Sequence, residues 1–209
     1  MRARFPLLFL LGALLFGGWS TTLLAAPQEP LPQTFYESTF LLVANPSLKN
    51  DWFRESVVLI SRRDPSGPLG LIINHPQKIS LEKVFPGYPA AKDSTLFAGG
   101  PVRPRLVSYL FRCDETVPKA LKVSEHIYIG SNMPLLDKLL NGTQTHTGLR
   151  VVDGFSSWAP GQLENEIARG DWLILPLDET AIFDLPIAGM WAELHHRAEL
   201  IPQTSPELF

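Results

Sequence analysis

A chain of 209 residues that is 45% hydrophobic and 19% charged has the make-up of one folded domain, which excludes a disordered or fibrous protein. Its 18 Lys+Arg against 21 Asp+Glu give a formal net charge of −3, poorly suited to nonspecific nucleic-acid binding, where neutralising phosphates dominates affinity. A single cysteine, Cys113, excludes an internal disulfide, and the acids that follow it argue against a reactive thiolate.

The first 25 residues have the order of a secretory signal peptide. Arg2 and Arg4 precede an apolar run from Phe5 to Trp19, and the small residues Ala25 and Ala26 follow. Pro27 disfavours cleavage immediately before it, which places the cut near Ala25. The alternatives are a membrane anchor or a cytoplasmic protein. The run is short for an anchor and is interrupted by Gly12, Gly17 and Gly18. Export to the periplasm or beyond is the expectation, with the leader engaging the export machinery. Residues 26–37 then read as an extended tether. The mature chain would carry 16 Lys+Arg against 21 Asp+Glu, a net charge of −5.

From residue 38 the elements follow in order. "STFLLVAN" (38–45) is apolar enough for a central strand. "ESVVLISRR" (55–63) and "LGLIINHP" (69–76) flank the turn signal "DPSG" and read as a hairpin, with Pro76 as its stop. "SLEKVF" (80–85) offers a helical turn or two capped by Ser80. "TLFAGGPV" (95–102) is a strand that runs into a Gly-Gly-Pro bend, and "RLVSYLFRC" (105–113) and "VSEHIYIG" (123–130) are further strands. "SNMPLLDKLLNG" (131–142) is a helix by its punctuation: Ser131 or Asn132 caps it, Pro134 lies in the first turn and Gly142 follows its end. "GLRVVDGF" (148–155) and "DWLILP" (171–176) are strands around the helix "PGQLENEIARG" (160–170). "AGMWAELHHRAEL" (188–200) makes a final helix. Strands dominate, so the expectation is a single α+β domain over 38–200, mainly antiparallel, with a curved, barrel-like sheet and flanking helices. Residues 201–209 form a tail.

Among the candidate chemistries, Trp158, Gln162 and Glu166 follow one another at four-residue steps and share one helix edge. They fit either a well-built helix start or a polar pair beside an aromatic. If they serve recognition, alanine at Gln162 and Glu166 leaves the melting temperature nearly intact. The five histidines show no metal-ligand spacing. "GFSSW" lacks the second glycine of a nucleophile elbow, and Ser157 suits a helix cap. In "GGPVRPR" (99–105), Arg103 and Arg105 alternate, so an extended backbone would put both on one face. With Arg62 or Arg63 they would form an anion-binding patch. Two helices joined by a short turn, as a DNA-reading motif requires, are not found.

The stretch "GFSSWAPGQLENEIARGDWL" (154–173) resembles the signature of the AlgH/YqgE family of bacterial proteins. "LLVANPSLKNDWFRESVVLI" (41–60), "GPLGLIINHP" (67–76), "FAGGPVRP" (97–104) and "MWAEL" (190–194) support the resemblance in order. It covers about residues 38–200 and implies a compact α+β domain around a curved sheet, with no established catalysis and no cofactor. Members are often labelled transcriptional regulators. Where typical members carry histidines, this chain has Arg63 and Phe111, and a common Asn-Arg-Pro run is Asn74-His75-Pro76.

The expected function is that of a noncatalytic binding domain. Its recognition surface would join Asn74, Gly99, Gly100, Arg103, Trp158, Gln162 and Glu166, for an unknown protein or a small anionic ligand. The alternatives are a cytoplasmic regulator, and an enzyme using Glu166 as general acid or base with Asn74 or Gln162 as polariser. No catalytic residue, metal ligand or cofactor is assigned.

Overall fold

The computed structural model describes residues 39–64, 67–92 and 94–203. The expected leader (1–25) and tether (26–37) lie outside them, as do the side chains of Arg62 and Arg63 and most of the tail.

Ten strands form one curved, half-barrel-like sheet. They are β1 (Phe40–Ala44), β2 (Val57–Asp64), β3 (Gly67–Ile72), β4 (Pro76–Ser80), β5 (Thr95–Ala98), β6 (Val102–Arg112), β7 (Leu121–Lys122), β8 (Ile127–Gly130), β9 (Thr147–Ser157) and β10 (Trp172–Pro176). The main path runs β10-β1-β2-β3-β9-β6-β8-β7, with β4 and β5 off it. The 11-residue β9 is the hub. It pairs antiparallel with β3 and β6, and parallel with β5. The helices are α1 (Leu81–Val84), α2 (Met133–Leu140), α3 (Gln162–Ala168), α4 (Glu179–Phe183) and α5 (Met190–Glu199). This is the expected α+β domain. Among the described residues no helix is long and apolar enough to cross a membrane.

Both faces of the sheet are covered, which explains why β1 is buried at all five positions. Side chains alternate, so Leu41, Val43, Val57, Leu59, Leu71 and Ile73 share one apolar layer. α4 and α5 cover that layer with Ile182, Met190, Leu194 and Ala198. On the opposite face, Leu42, Val58, Ile60 and Ile72 meet Trp158, Trp172 and Leu163 of α3. Further along that face, Leu135, Leu136, Leu139 and Leu140 of α2 pack on Tyr109, Phe111, Tyr128 and Val151. Each such leucine contributes about 1.5–3 kcal/mol by leaving water.

The hairpin 55–63/69–74 is present as β2 and β3, with Val58 opposite Ile72 and Ile60 opposite Gly70. Of the two caps offered for α2, Asn132 is the one used: its Oδ1 accepts from Leu135 N at 3.0 Å. The Tyr109 hydroxyl donates to Asn132 O at 2.8 Å and ties β6 to that helix. Burial pushes its pKa up to about 12.

Four local expectations are corrected. Pro76 does not merely stop a strand but begins the edge strand β4, where a missing N–H is tolerated. Ser80 makes no side-chain cap on α1. Ser157 ends β9, while Gly161, at φ 77°, precedes α3. Arg103 and Arg105 are not extended: they sit at φ 45° and 77°, in a bulge of β6 between Val102 and Val107. The two-residue alternation that would align them therefore does not apply.

Candidate functional site

The tryptophan-rich helix start is held by one carboxylate. Glu166 Oε2 accepts from Trp158 Nε1 at 2.8 Å and from Trp172 Nε1 at 2.9 Å. Glu166 Oε1 accepts from Gln162 Nε2 at 2.9 Å. Gln162 Oε1 in turn accepts from Ala159 N at 3.0 Å, satisfying a backbone donor ahead of the helix. Trp158 and Trp172 are only 3% and 2% exposed. Phe53 stacks on Trp158 with ring centroids 5.9 Å apart and meets Trp172 edge-on at 5.3 Å. The four-residue spacing seen in sequence thus brings Trp158, Gln162 and Glu166 together. Their hydrogen-bonding capacity is turned inward, joining α3 to the ends of β9 and β10.

Asn74 is 92% out of solvent, at 8% exposure, and is likewise engaged. Its Oδ1 accepts from Val57 N and its Nδ2 donates to Glu55 O, both at 2.8 Å. These bonds clamp the end of the loop 45–55, where Glu55 takes φ 51°. Trp158 N bonds Pro68 O at the far end of β3. Six extended residues separate Pro68 from Asn74, roughly 20 Å. Gly99 lies between, its carbonyl accepting from Ile72 N at 2.9 Å and from Ser156 Oγ at 3.3 Å. The surface expected to join all these residues therefore falls into three places, spread by the length of β3. Trp158, Gln162 and Glu166 line none of the cavities that Asn74 or Arg103 line.

A broad concavity lies at the Asn74 end. One cavity of about 680 Å³ is bordered by Arg54, Glu55, Asn74, His75 and the start of α5 around Gly189 and Trp191. A second, of about 610 Å³, shares Arg54, Glu55 and Trp191 and continues along the loop 45–51. The loop above them is stiff. Asn45 Oδ1 accepts from Ser47 N and Asn50 Oδ1 from Trp52 N, each at 3.0 Å, giving two side-chain-closed turns. Leu48 and Phe53 pack into the core beneath, and Trp191 Nε1 donates to Ala44 O at 2.8 Å. This loop carries Trp52, which is 52% exposed.

Trp52 lies in the polar run "SLKNDWFRES" (47–56), where residue type alone does not show which of Trp52 and Phe53 turns inward. The available signal was the spacing of Asn45 and Asn50, each two residues ahead of a residue whose N–H it binds. Phe111, where relatives are expected to carry a histidine, is fully buried and stacks on Tyr128 at 5.6 Å. Among the described residues no group of three or more His, Cys, Asp and Glu could hold a metal ion.

Comparison with known proteins places this architecture. Residues 41–202 match the model of the AlgH-like family. A UPF0301 protein of Anaeromyxobacter dehalogenans is 31% identical over 173 residues, covering 77% of this chain and 87% of that protein. One from Proteus mirabilis is 35% identical over 170 residues, covering 77% and 89%. The solution structure of the AlgH protein from Pseudomonas aeruginosa shares the fold, with a TM-score of 0.66 at 22% identity over 84% of this chain and 94% of that one. A crystal structure of a Corynebacterium diphtheriae protein gives a TM-score of 0.65, also at 22% identity. The chain belongs to the AlgH-like family.

Proposed function

We propose that this AlgH-like chain is an exported, noncatalytic interaction domain that presents the loop 45–55 and the groove beneath it to a protein partner. The observation that carries this reading is Trp52: a half-exposed tryptophan on a loop that is otherwise pinned by its own side chains and by Asn74. A rigid aromatic projecting beside a concavity loses little entropy on docking and supplies the apolar anchor that interfaces concentrate. Arg54 and Asp51, ion-paired at 2.6 Å, flank it as a polar rim. Asn74 enters as the support of this face rather than as a contact. Glu166 as a general acid or base has little geometric support, since both its oxygens are occupied and it borders neither groove cavity.

Trp52→Ala is expected to change the melting temperature by no more than about 2 °C, because an exposed side chain contributes little to folding. The same variant, tagged and used as bait in extract from the compartment where the protein resides, is expected to retain its specific partner roughly tenfold less than the parent chain. Equal recovery by both baits would remove this loop from the interface.

Export has its own test. The protein recovered from the periplasmic fraction should begin near Ala26, lacking the Arg2–Trp19 segment. A cytosolic chain that still begins at Met1 would end the export part of the reading and leave the interaction part intact.

A further inference from the structure

The apolar layer under α4 and α5 does not end where those helices end. Past Leu71 it continues into a separate cavity of about 250 Å³ between β3, β6, β8 and β9. Leu69, Leu71, Leu106 and Phe155 give this cavity apolar walls. Leu106 is 40% exposed, in the exposed first half of β6, so its side chain forms the open rim of the cavity.

Two polar groups in the walls are left without partners. Ser108 is 8% exposed, and its hydroxyl takes part in no hydrogen bond among the described residues. Ser108 lines the cavity, and its hydroxyl still reaches solvent there, so a ligand's polar atom could take the place of water. Arg103 stands at the same cavity, and its guanidinium has no carboxylate within ion-pair distance among the described residues. The neighbouring carboxylate that might have taken it, Asp153, instead accepts from the backbone N–H of Arg105. That bond holds the bulge in which Arg103 adopts φ 45°, a conformation non-glycine residues rarely take. An unpaired cation, an unpaired hydroxyl and apolar walls thus meet in one small space.

We infer that this cavity binds a small amphipathic carboxylate, its headgroup on Arg103 and Ser108 and its short apolar tail against Leu69, Leu71, Leu106 and Phe155. Charge selects an anion despite the acidic net charge of the chain, because Arg103, exposed at the cavity's mouth, is a local cation with no carboxylate of its own among the described residues. Volume selects a small one: 250 Å³ is about the space of eight waters, room for a medium-chain carboxylate of roughly eight carbons and no more than part of a lipid. The apolar walls select against free phosphate or acetate, which would leave them wet. This site is distinct from the Trp52 loop, and neither reading depends on the other.

The probe is sodium octanoate, titrated into the mature chain and followed by calorimetry and by the methyl resonances of Leu69, Leu71 and Leu106. The expected result is saturable binding at one site, with shifts confined to those methyls and their neighbours. Arg103→Asn, chosen because asparagine tolerates a positive φ, should weaken octanoate roughly tenfold and leave binding of uncharged octanol unchanged. Ser108→Ala should weaken octanoate by a smaller factor. Acetate should not bind. The inference is overturned if octanoate shows no saturation by about 10 mM, if octanol binds as tightly as octanoate, or if the Arg103 variant binds like the parent. It is also overturned if a short apolar peptide with a free C-terminus binds more tightly than octanoate, since the occupant would then be a protein tail.

Discussion

Replacing Glu166 with alanine is expected to lower the melting temperature by about 6–15 °C, the largest effect of any polar substitution in this protein. Among the described residues the carboxylate is the one acceptor for two indole N–H groups whose residues are 3% and 2% exposed. Removing it leaves both donors without a partner in the tightest part of the core, each costing about 1–3 kcal/mol. The Gln162 amide loses its acceptor as well, though it is exposed and can turn to water. The sum is about 2–5 kcal/mol, a large share of a domain's stability. Gln162→Ala should cost much less, about 0.5–1.5 kcal/mol, since it removes only the side-chain acceptor of one backbone N–H ahead of α3 and one bond to Glu166. In the Trp172→Phe background the Glu166→Ala penalty should shrink, because one orphaned donor has already gone. Thermal and urea denaturation of the four chains closes the cycle. A Glu166→Ala chain that melts within about 2 °C of the parent would show that the indoles reach water, and would return the triplet to a recognition role.

This same triplet shows what the sequence made legible. Positions 158, 162 and 166 are four apart, and helical geometry alone puts their side chains in a row. Trp172 lies on the next strand and arrives by tertiary packing, so no local spacing announces it. Without it the carboxylate looks half free and available for a ligand. In the fold, Gln162 takes one oxygen while Trp158 and Trp172 share the other. Strands β1, β2, β3 and β9 were legible for a similar reason: their apolar runs and the turn "DPSG" carry local signals. α4 was not, because five residues are too few to display a helical period. Only Asp178, which accepts from Thr180 N and Ala181 N, hinted at it.

The arginines failed in a different way. Alternation at Arg103 and Arg105 presumes a regular strand, and the bulge that breaks it is held by Asp153, about fifty residues further along. The correction moved Arg103 out of an imagined surface patch and into the wall of a cavity. Trp52 escaped notice because residue type speaks for burial on average, while exposure is decided by which neighbours, here Leu48 and Phe53, already fill the core below.

The glycines Gly99 and Gly100 present the opposite case, residues correctly singled out whose role the packing now sharpens. A Cβ on Gly100 would stand 2.3 Å from the Phe155 carbonyl carbon, and one on Gly99 would stand 2.3 Å from Gly154 O. Gly154, at φ 72°, in turn faces Gly100 O at 2.8 Å from its own Cβ position. The link from β5 to β6 crosses β9 backbone on backbone, with no room for side chains at the crossing. At Gly100 the Ser156 hydroxyl, 2.4 Å away, could turn aside, but the Phe155 carbonyl could not. The crossing cannot part without loosening Gly99 N–Asp153 O at 2.7 Å and Ile72 N–Gly99 O at 2.9 Å, which tie the end of β5 to β9 and to β3.

Gly100→Ala is therefore expected to cost more than about 3 kcal/mol and to yield largely insoluble or non-cooperatively melting protein. Gly142→Ala supplies the control. Gly142 also has a positive φ, 72°, but nothing lies within 4 Å of its added Cβ. Its cost should be only the conformational part, about 1 kcal/mol. The soluble yield and cooperativity of the two variants, read side by side, separate the steric cost at Gly100 from the conformational one. If the glycines at 99 and 100 instead served to let a ligand approach the backbone, Gly100→Ala would melt like Gly142→Ala and lose only binding, and the interlocked crossing would not be what holds β5 and β6 to the hub strand.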